Sequence, residues 1–213
     1  MIKLENITKS FGKTHVLQDI NLKVSSGEMV AIMGRSGAGK STLLNILGLL
    51  IRPDTGKYVL DNQNINMGTN PYDFRKKNIG YILQKPNLIP DRNVYKNLLV
   101  GINLYNIKKE EKKRIIDETV SMMGIEKLLS KYPSDLSGGE CQKVVIARTL
   151  LYKKKLILAD EPTGSLDNKS AVEVMQVLKK INGCGRTILI VTHDPVIANY
   201  CCRTITIEDG IIK

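Results

Sequence analysis

Apolar residues fall into distinct rhythms along the chain. Ile20, Leu22 and Val24 alternate with polar neighbours, as on a strand with one wet face. Met29-Val30-Ala31-Ile32-Met33 is continuously apolar, as a strand covered on both faces should be. Short apolar runs recur at Tyr81-Ile82-Leu83, Leu156-Ile157-Leu158-Ala159 and Thr187-Ile188-Leu189-Ile190-Val191. The spacing between them turns helical, with Leu43, Leu44, Leu47 and Leu50–Ile51 after the first run and Ala171, Val174, Met175 and Leu178 before the last. This alternation predicts a parallel α/β sheet with crossover helices.

From about Pro86 to Leu151 the strand signals vanish and successive helices are predicted. One covers Lys108–Met123, with Ile116, Val120 and Met123 on one face and Gly124 as its C-cap. Met122 and Met123 read as core packing, and Lys108–Arg114 as the solvated first turns. The middle of the chain is therefore a helical insertion in an α/β core, with residues 1–84 and 152–213 forming the core and 85–151 the insertion.

Length adds that 213 residues suit one domain, and 42% apolar with 25% charged residues is ordinary for a globular chain. The longest apolar runs, Met29–Met33 and Leu156–Ala159, fall far short of the roughly 20 residues a membrane span needs. The first residues do not form a signal peptide, so a cytoplasmic location is expected unless another chain holds the protein elsewhere. Cys141, Cys184, Cys201 and Cys202 form no disulfide or zinc pattern and read as buried or inert reduced thiols. The net charge of +11 is uneven, at +5 over residues 1–84, +7 over 85–155 and −1 over 156–213. Such an excess admits nucleic acid, an anionic membrane surface or a polyphosphate as partner.

The chemistry-bearing residues narrow that choice. Gly34-Arg35-Ser36-Gly37-Ala38-Gly39-Lys40-Ser41 fits G-x-x-x-x-G-K-[ST] between a predicted strand and a predicted helix. Glycines let successive backbone N–H groups turn around a phosphate, and the helix N-terminus adds its positive end. Lys40 would reach the β- and γ-phosphates and the Ser41 hydroxyl would take Mg²⁺. Leu156–Ala159 then ends in Asp160-Glu161, placing carboxylates at the sheet edge where α/β folds bind ligands. Asp160 can hold Mg²⁺ through water, and Glu161 can polarise an attacking water. Asn168-Lys169 continues into Ser170-Ala171, so the guanine-reading N-K-x-D pattern is missing. Leu136-Ser137-Gly138-Gly139-Glu140, in the helical insertion, offers N–H groups and a hydroxyl at a helix start. Lying in another subdomain, this second anion site would meet the nucleotide of a partner molecule.

Together these residues resemble the ATP-binding subunit of ABC transporters, over essentially the whole chain. The resemblance implies a P-loop NTPase with a mostly parallel central sheet, an N-terminal antiparallel β portion and an inserted α-helical subdomain. It implies that Gly34 through Thr42 bind ATP and Mg²⁺, with Phe11 stacking on adenine. Gln84 then contacts Mg²⁺ and the attacking water, Ser165-Leu166-Asp167 reaches across a dimer, and His193 bonds the γ-phosphate. His15 has no such context and reads as solvent-exposed. Val30–Gly34, Leu43–Gly48, Asn87–Pro90 and Ala159–Gly164 resemble a subgroup that includes macrolide-export, lipoprotein-releasing, cell-division and antimicrobial-peptide systems, whose ATPases pair with permeases. Cys141 and Lys143 stand where the family usually has Gln and Arg, and Tyr132-Pro133-Ser134-Asp135 matches its pattern poorly.

The implied mechanism is a homodimer closed head to tail around two ATP–Mg²⁺, each between Gly34–Thr42 of one chain and Ser137–Glu140 of the other. Glu161 activates water while Lys40, Mg²⁺ and His193 stabilise charge, and the groove near Gln84–Val94 passes the motion to a membrane permease. The rival is a soluble ABC-type ATPase acting on nucleic acid or the ribosome. The repair type carries a very long coiled coil between phosphate loop and signature, whereas 95 residues separate Lys40 from Leu136 here. The ribosomal type carries two ATPase units in one chain. Nucleic acid is therefore not expected as a partner.

Overall fold

The computed structural model describes residues 1–65, 70–152 and 154–213. Its first strands, β1 (Ile2–Phe11) and β2 (Thr14–Val24), pair antiparallel. The next, β3 (Met29–Met33), enters the larger sheet and leads to α1 (Lys40–Leu47). The chain then returns to the first sheet in β4 (Thr55–Leu60) and β5 (Gln63–Asn64), giving the order β2-β1-β4-β5. After α2 (Pro71–Asn78) and β6 (Ile79–Ile82) come α3 (Val94–Asn103), α4 (Lys109–Met123) and α5 (Gly138–Leu150). Among the described residues between β6 and β7 (Leu156–Asp160) there is no strand. Then follow α6 (Asn168–Gly183), β8 (Thr187–Val191), α7 (Pro195–Ala198), β9 (Arg203–Glu208) and β10 (Ile211–Ile212). The six-stranded sheet has the order β10-β9-β3-β8-β7-β6 and is parallel except for β10.

Strand side chains alternate between the faces of that sheet, and two cores follow. Val30, Ile32, Leu156, Leu158, Leu189 and Val191 pack towards α1 and the antiparallel sheet. Met29, Ile157, Ala159, Ile188 and Ile190 pack against α3 to α6. The inserted helices thus share a core with the sheet. Tyr58 ties α1 to the antiparallel sheet by donating its buried hydroxyl to the Leu47 carbonyl at 2.9 Å, which answers a carbonyl left over at the helix end.

The predicted strand runs and α4 with its Gly124 cap form as expected; Gly124 has φ 64° and Ile116, Val120 and Met123 are buried. Two differences have identifiable causes. The helix after β3 stops at Leu47, so Leu50 and Ile51 lie outside it. A Cβ on Gly48 would come within 2.6 Å of the Tyr81 ring, and Leu49 then takes a φ of 57° that ends the helix. An unforeseen helix, α2, starts where Asn70 accepts from the Tyr72 N–H at 3.1 Å and Pro71 occupies the first helical turn. His15 is exposed, as expected, and its Nδ1 lies 2.9 Å from the Ser10 hydroxyl.

Candidate active site

Four neighbouring strands end on one edge of the parallel sheet, and each delivers a residue picked out in the sequence. β3 runs into the loop Gly34–Gly39, β8 ends two residues before His193, β7 ends in Asp160, and β6 ends two residues before Gln84. Their spatial order is β3-β8-β7-β6, so residues far apart in the chain become neighbours.

The phosphate-type loop is shaped by close backbone approach. Gly34, Gly37 and Gly39 have φ of 149°, 80° and 101°. A Cβ on Gly34 would lie 2.2 Å from the Ile207 carbonyl oxygen, and one on Gly39 would lie 2.8 Å from that of Val16. Side chains are excluded at both by conformation and by space. Gly39 is the N-cap of α1 with no capping side chain, and the first turn holds no acidic residue. The helix therefore keeps its positive end for an external anion. Lys40 lies back along the loop and donates from Nζ to the Gly34 and Arg35 carbonyls, both at 2.8 Å.

A cavity of about 370 Å³ is lined by this loop, by Ser41 and Thr42 and by Asp160, Glu161 and His193. Arg35 and Ala38 look the other way, into a depression shared with Glu208 and Asp209. Burial raises the Asp160 carboxyl above its ordinary pKa, opposed by a hydrogen bond from Ser41, with the Glu161 charge adding to the rise and Lys40 opposing it. Glu161 has a φ of 47°, and its N–H donates to the Val191 carbonyl at 3.0 Å. Its Oε1 lies 2.8 Å from His193 Nδ1, with the carboxylate side chain 18% exposed and the imidazole 72% exposed. A Cβ on Gly164 would meet Gln84 Nε2 at 3.0 Å and Glu161 Cβ at 3.4 Å. That glycine is what admits the Gln84 amide beside Glu161.

The remaining predicted residues gather elsewhere. Ser137 caps α5 in a reciprocal box: Glu140 N–H donates to its Oγ at 3.2 Å, and its own N–H donates to Glu140 Oε2 at 2.8 Å. Two of the groups expected to await an anion are therefore occupied within the chain. Gly139 closes on Ser170 and Gly138 on Leu166, at Cβ distances of 2.9 Å and 3.1 Å. Asp167 caps α6 by accepting from the Ser170 N–H at 3.0 Å and hydroxyl at 2.6 Å, and the hydroxyl holds its carboxyl below the ordinary range. None of Ser137, Gly138, Gly139, Glu140 or Asp167 lines the phosphate cavity, and neither do Phe11 and Gln84, the latter standing beside it next to Gly164. Phe11 ends β1 with 53% of its surface exposed and Lys9 Nζ 5.4 Å from its ring centroid. Lys143 pairs with Glu173 at 2.6 Å, tying α5 to α6. All four cysteines are free, with Cys184 and Cys202 exposed and Cys141 and Cys201 half-buried. Burial pushes the Cys201 thiol up to about 12.

Sequence reasoning passed over Val16, which lines the cavity from β2, and took Gly164 only as the end of the Ala159–Gly164 likeness, without its role beside Gln84. No local pattern shows either role, because each matters through an approach across the fold. The groove expected near Gln84–Val94 has a counterpart of about 420 Å³ beside β6, lined from that segment by Lys85 and Asn87, and its apolar wall was passed over. Leu50, Tyr72, Leu83 and Leu104 line it, each between 38% and 56% exposed. Arg75, Lys76, Lys85, Arg148 and Lys154 line it too, and no carboxylate does. Burial, helped by the Lys76 charge, lowers Lys154 to about 8 from 10.5. The unfolded chain therefore binds more protons at Lys154 between those values, and the folded protein gains stability as pH rises through them. Thermal melts should accordingly show wild type gaining on Lys154→Met as the pH rises from about 7 towards 10.

Three comparisons place the chain. Residues 17–164 match the family model described as ABC transporter. The lipoprotein-releasing system ATP-binding protein LolD of Bacteroides fragilis is 41% identical over 215 residues, covering 100% of both chains. The macrolide export ATP-binding/permease protein MacB of Pasteurella multocida is 40% identical over 218 residues, covering 100% of this chain but only 34% of MacB. The chain thus spans about a third of such export relatives. A bacterial ABC transporter cassette solved as a dimer superposes with a TM-score of 0.88 at 39% identity, covering 100% of this chain and 97% of that one. Phosphate-type loop, sheet-edge carboxylates, signature helix and full-length likeness all agree, and the chain belongs to the ABC transporter family.

Proposed function

We propose that this chain is the ATP-binding and ATP-hydrolysing subunit of a membrane ABC transporter, working as a homodimer under a permease. The observation that carries this is the convergence of Lys40, Ser41, Asp160, Glu161 and His193 on one cavity at the ends of adjacent strands. In this reading residues 1–84 and 152–213 are the catalytic core and 85–151 the helical subdomain. Lys40 exchanges its loop carbonyls for the β- and γ-phosphates, and the N-terminus of α1 receives them. Glu161, oriented through His193, takes the proton of an attacking water that Gln84 helps to place, while His193 bonds the γ-phosphate. Phe11 stacks on the adenine from its exposed position at the end of β1.

The Ser41 hydroxyl and the Asp160 carboxylate are hydrogen-bonded hard oxygen donors at the cavity. No cluster of three or more His, Cys, Asp or Glu able to hold a metal exists among the described residues. That donor set fits Mg²⁺, which keeps water and substrate phosphate among its ligands and needs few from protein. Ser41, Asp160 and Gln84 would hold it, and the ion would neutralise charge on the phosphates during transfer.

In the closed dimer, Ser137–Glu140 and Asp167 of one protomer complete the nucleotide site of its partner. The dimeric cassette solved for a relative at 39% identity supports this arrangement. No helix among the described residues is long and apolar enough to cross a membrane. In this reading a permease holds the chain at the inner face. The groove beside β6 suits that contact: apolar residues stand exposed in it and its cations lack a carboxylate. The likeness to a lipoprotein-releasing and a macrolide-export protein supports export of an antibiotic- or lipid-type substrate, with peptide export or force transmitted across the membrane as further options of the same proposal.

The test is phosphate release from ATP by the purified chain, followed by co-purification with a co-expressed permease. Leu104→Asp should preserve the first and lose the second. Absence of ATP hydrolysis in both free and permease-bound protein would overturn the reading.

A further inference from the structure

The amide of Gln142 lies under the segment that carries Gln84. Gln142 is 1% exposed on α5, five residues after Ser137, and so about 7.5 Å along the helix axis from the signature end. Its Nε2 donates to the Leu83 carbonyl at 3.1 Å. That carbonyl belongs to the Leu83–Gln84 peptide, so the bond fixes the plane from which Gln84 departs. Two further α5 side chains grip the same segment by its carbonyls: Thr149 Oγ1 approaches Tyr81 O at 3.4 Å and Arg148 Nη2 donates to Asn87 O at 2.7 Å. Residues 81–87 therefore hang from one helix, and that helix begins with Ser137-Gly138-Gly139-Glu140.

Gln142 Oε1 has no hydrogen-bond partner, and it is the one such buried side-chain atom among the described residues. The amide cannot simply be turned over, because its oxygen would then face the Leu83 oxygen. A buried unpaired carbonyl is a destabilising feature that a folded protein retains only with a reason. It lies between the signature loop and Gln84, which the ATPase reading assigns to Mg²⁺ and the attacking water.

We propose that Gln142 is a positioning residue. It sets the Leu83–Gln84 peptide relative to the signature end of α5, and its free Oε1 takes an N–H when residues 83–87 shift in the ATP-bound dimer. The inference rests on the ATPase reading above and names the contact by which the two nucleotide-binding ends of one chain stay in register.

Gln142→Met keeps the length of the side chain and removes both polar atoms. Relief of the unpaired Oε1 offsets loss of the Nε2 bond to the Leu83 carbonyl, so the thermal midpoint of the nucleotide-free protein should change little. The turnover number should nevertheless fall about tenfold with KM for ATP within twofold of wild type, since binding atoms are untouched. Gln84→Ala combined with Gln142→Met should be no slower than Gln84→Ala alone, because the second residue acts through the first. A variant with a lowered midpoint and wild-type turnover would make Gln142 a packing residue and overturn the proposal, as would additive losses in the double variant. Should Gln142→Met not fold, hydrogen exchange on Glu161→Gln protein decides. ATP should slow the amides of 83–87 and of the first turns of α5 together, and independent responses would refute the coupling. Inactive wild-type protein would instead count against the ATPase reading itself.

Discussion

Glu161→Gln should lower ATP turnover by about 10²- to 10⁴-fold while ATP still binds and an ATP-bound dimer accumulates. The amide keeps the shape of the side chain and its contact with His193, which lies 2.8 Å from the carboxylate. It loses the ability to accept a proton from water. The phosphate-binding parts are untouched, because Lys40, the loop glycines and the start of α1 come from a different strand end. Phosphate release gives the rate, and light scattering with and without ATP gives the dimer. Turnover within threefold of wild type would take the role of base away from Glu161.

Ser137→Arg should abolish that ATP-dependent dimer while each monomer still binds nucleotide. Ser137 is exposed and caps α5, and Gly138 beside it sits 3.1 Å by Cβ from Leu166. A guanidinium at this point occupies the space a partner's phosphates would need and removes the serine half of the capping box. Losing the cap costs about 1 kcal/mol, too little to unfold a domain of this size. On the Glu161→Gln background, scattering should report monomer at every ATP concentration while fluorescent-nucleotide titration gives wild-type affinity. A normal dimer would place the partner's contact somewhere other than the signature helix.

How far the molecule could be read in advance depended on whether a feature was local. The β3 run, Gly34–Ser41 and the helix after it form one continuous stretch, so strand, loop and helix were all legible. Asp160-Glu161 was legible for the same reason, as the polar end of an apolar run. Gln84 and His193 needed the family likeness, because nothing near them in the chain says that β6 and β8 flank β7. The helix end at Leu47 was misread because Gly48 answers to the Tyr81 ring, a contact across the fold. The apolar wall of the groove beside β6 was invisible for a related reason: Leu50 after α1, Tyr72 on α2, Leu83 after β6 and Leu104 after α3 each contribute one exposed residue from distant parts of the chain. Gln142 carried a faint signal, a lone amide amid Val144, Val145 and Ile146, but its meaning lies in the Leu83 carbonyl it holds.

The strand order has a consequence for how the protein comes into being. β8 lies between β3 and β7, pairing Met29 with Ile188 on one side and Leu156 with Thr187 on the other. A chain emerging from the ribosome can make the phosphate loop early, yet β3 has no neighbour in its own sheet until the last quarter of the sequence arrives. Such long-range pairing is slow, since loop closure must precede any gain from contact. Until then β3 has both of its sheet edges open and β7 has one, and the nascent protein is an aggregation risk without any nucleotide pocket to steady it. ATP can stabilise this molecule only after its fold is already finished.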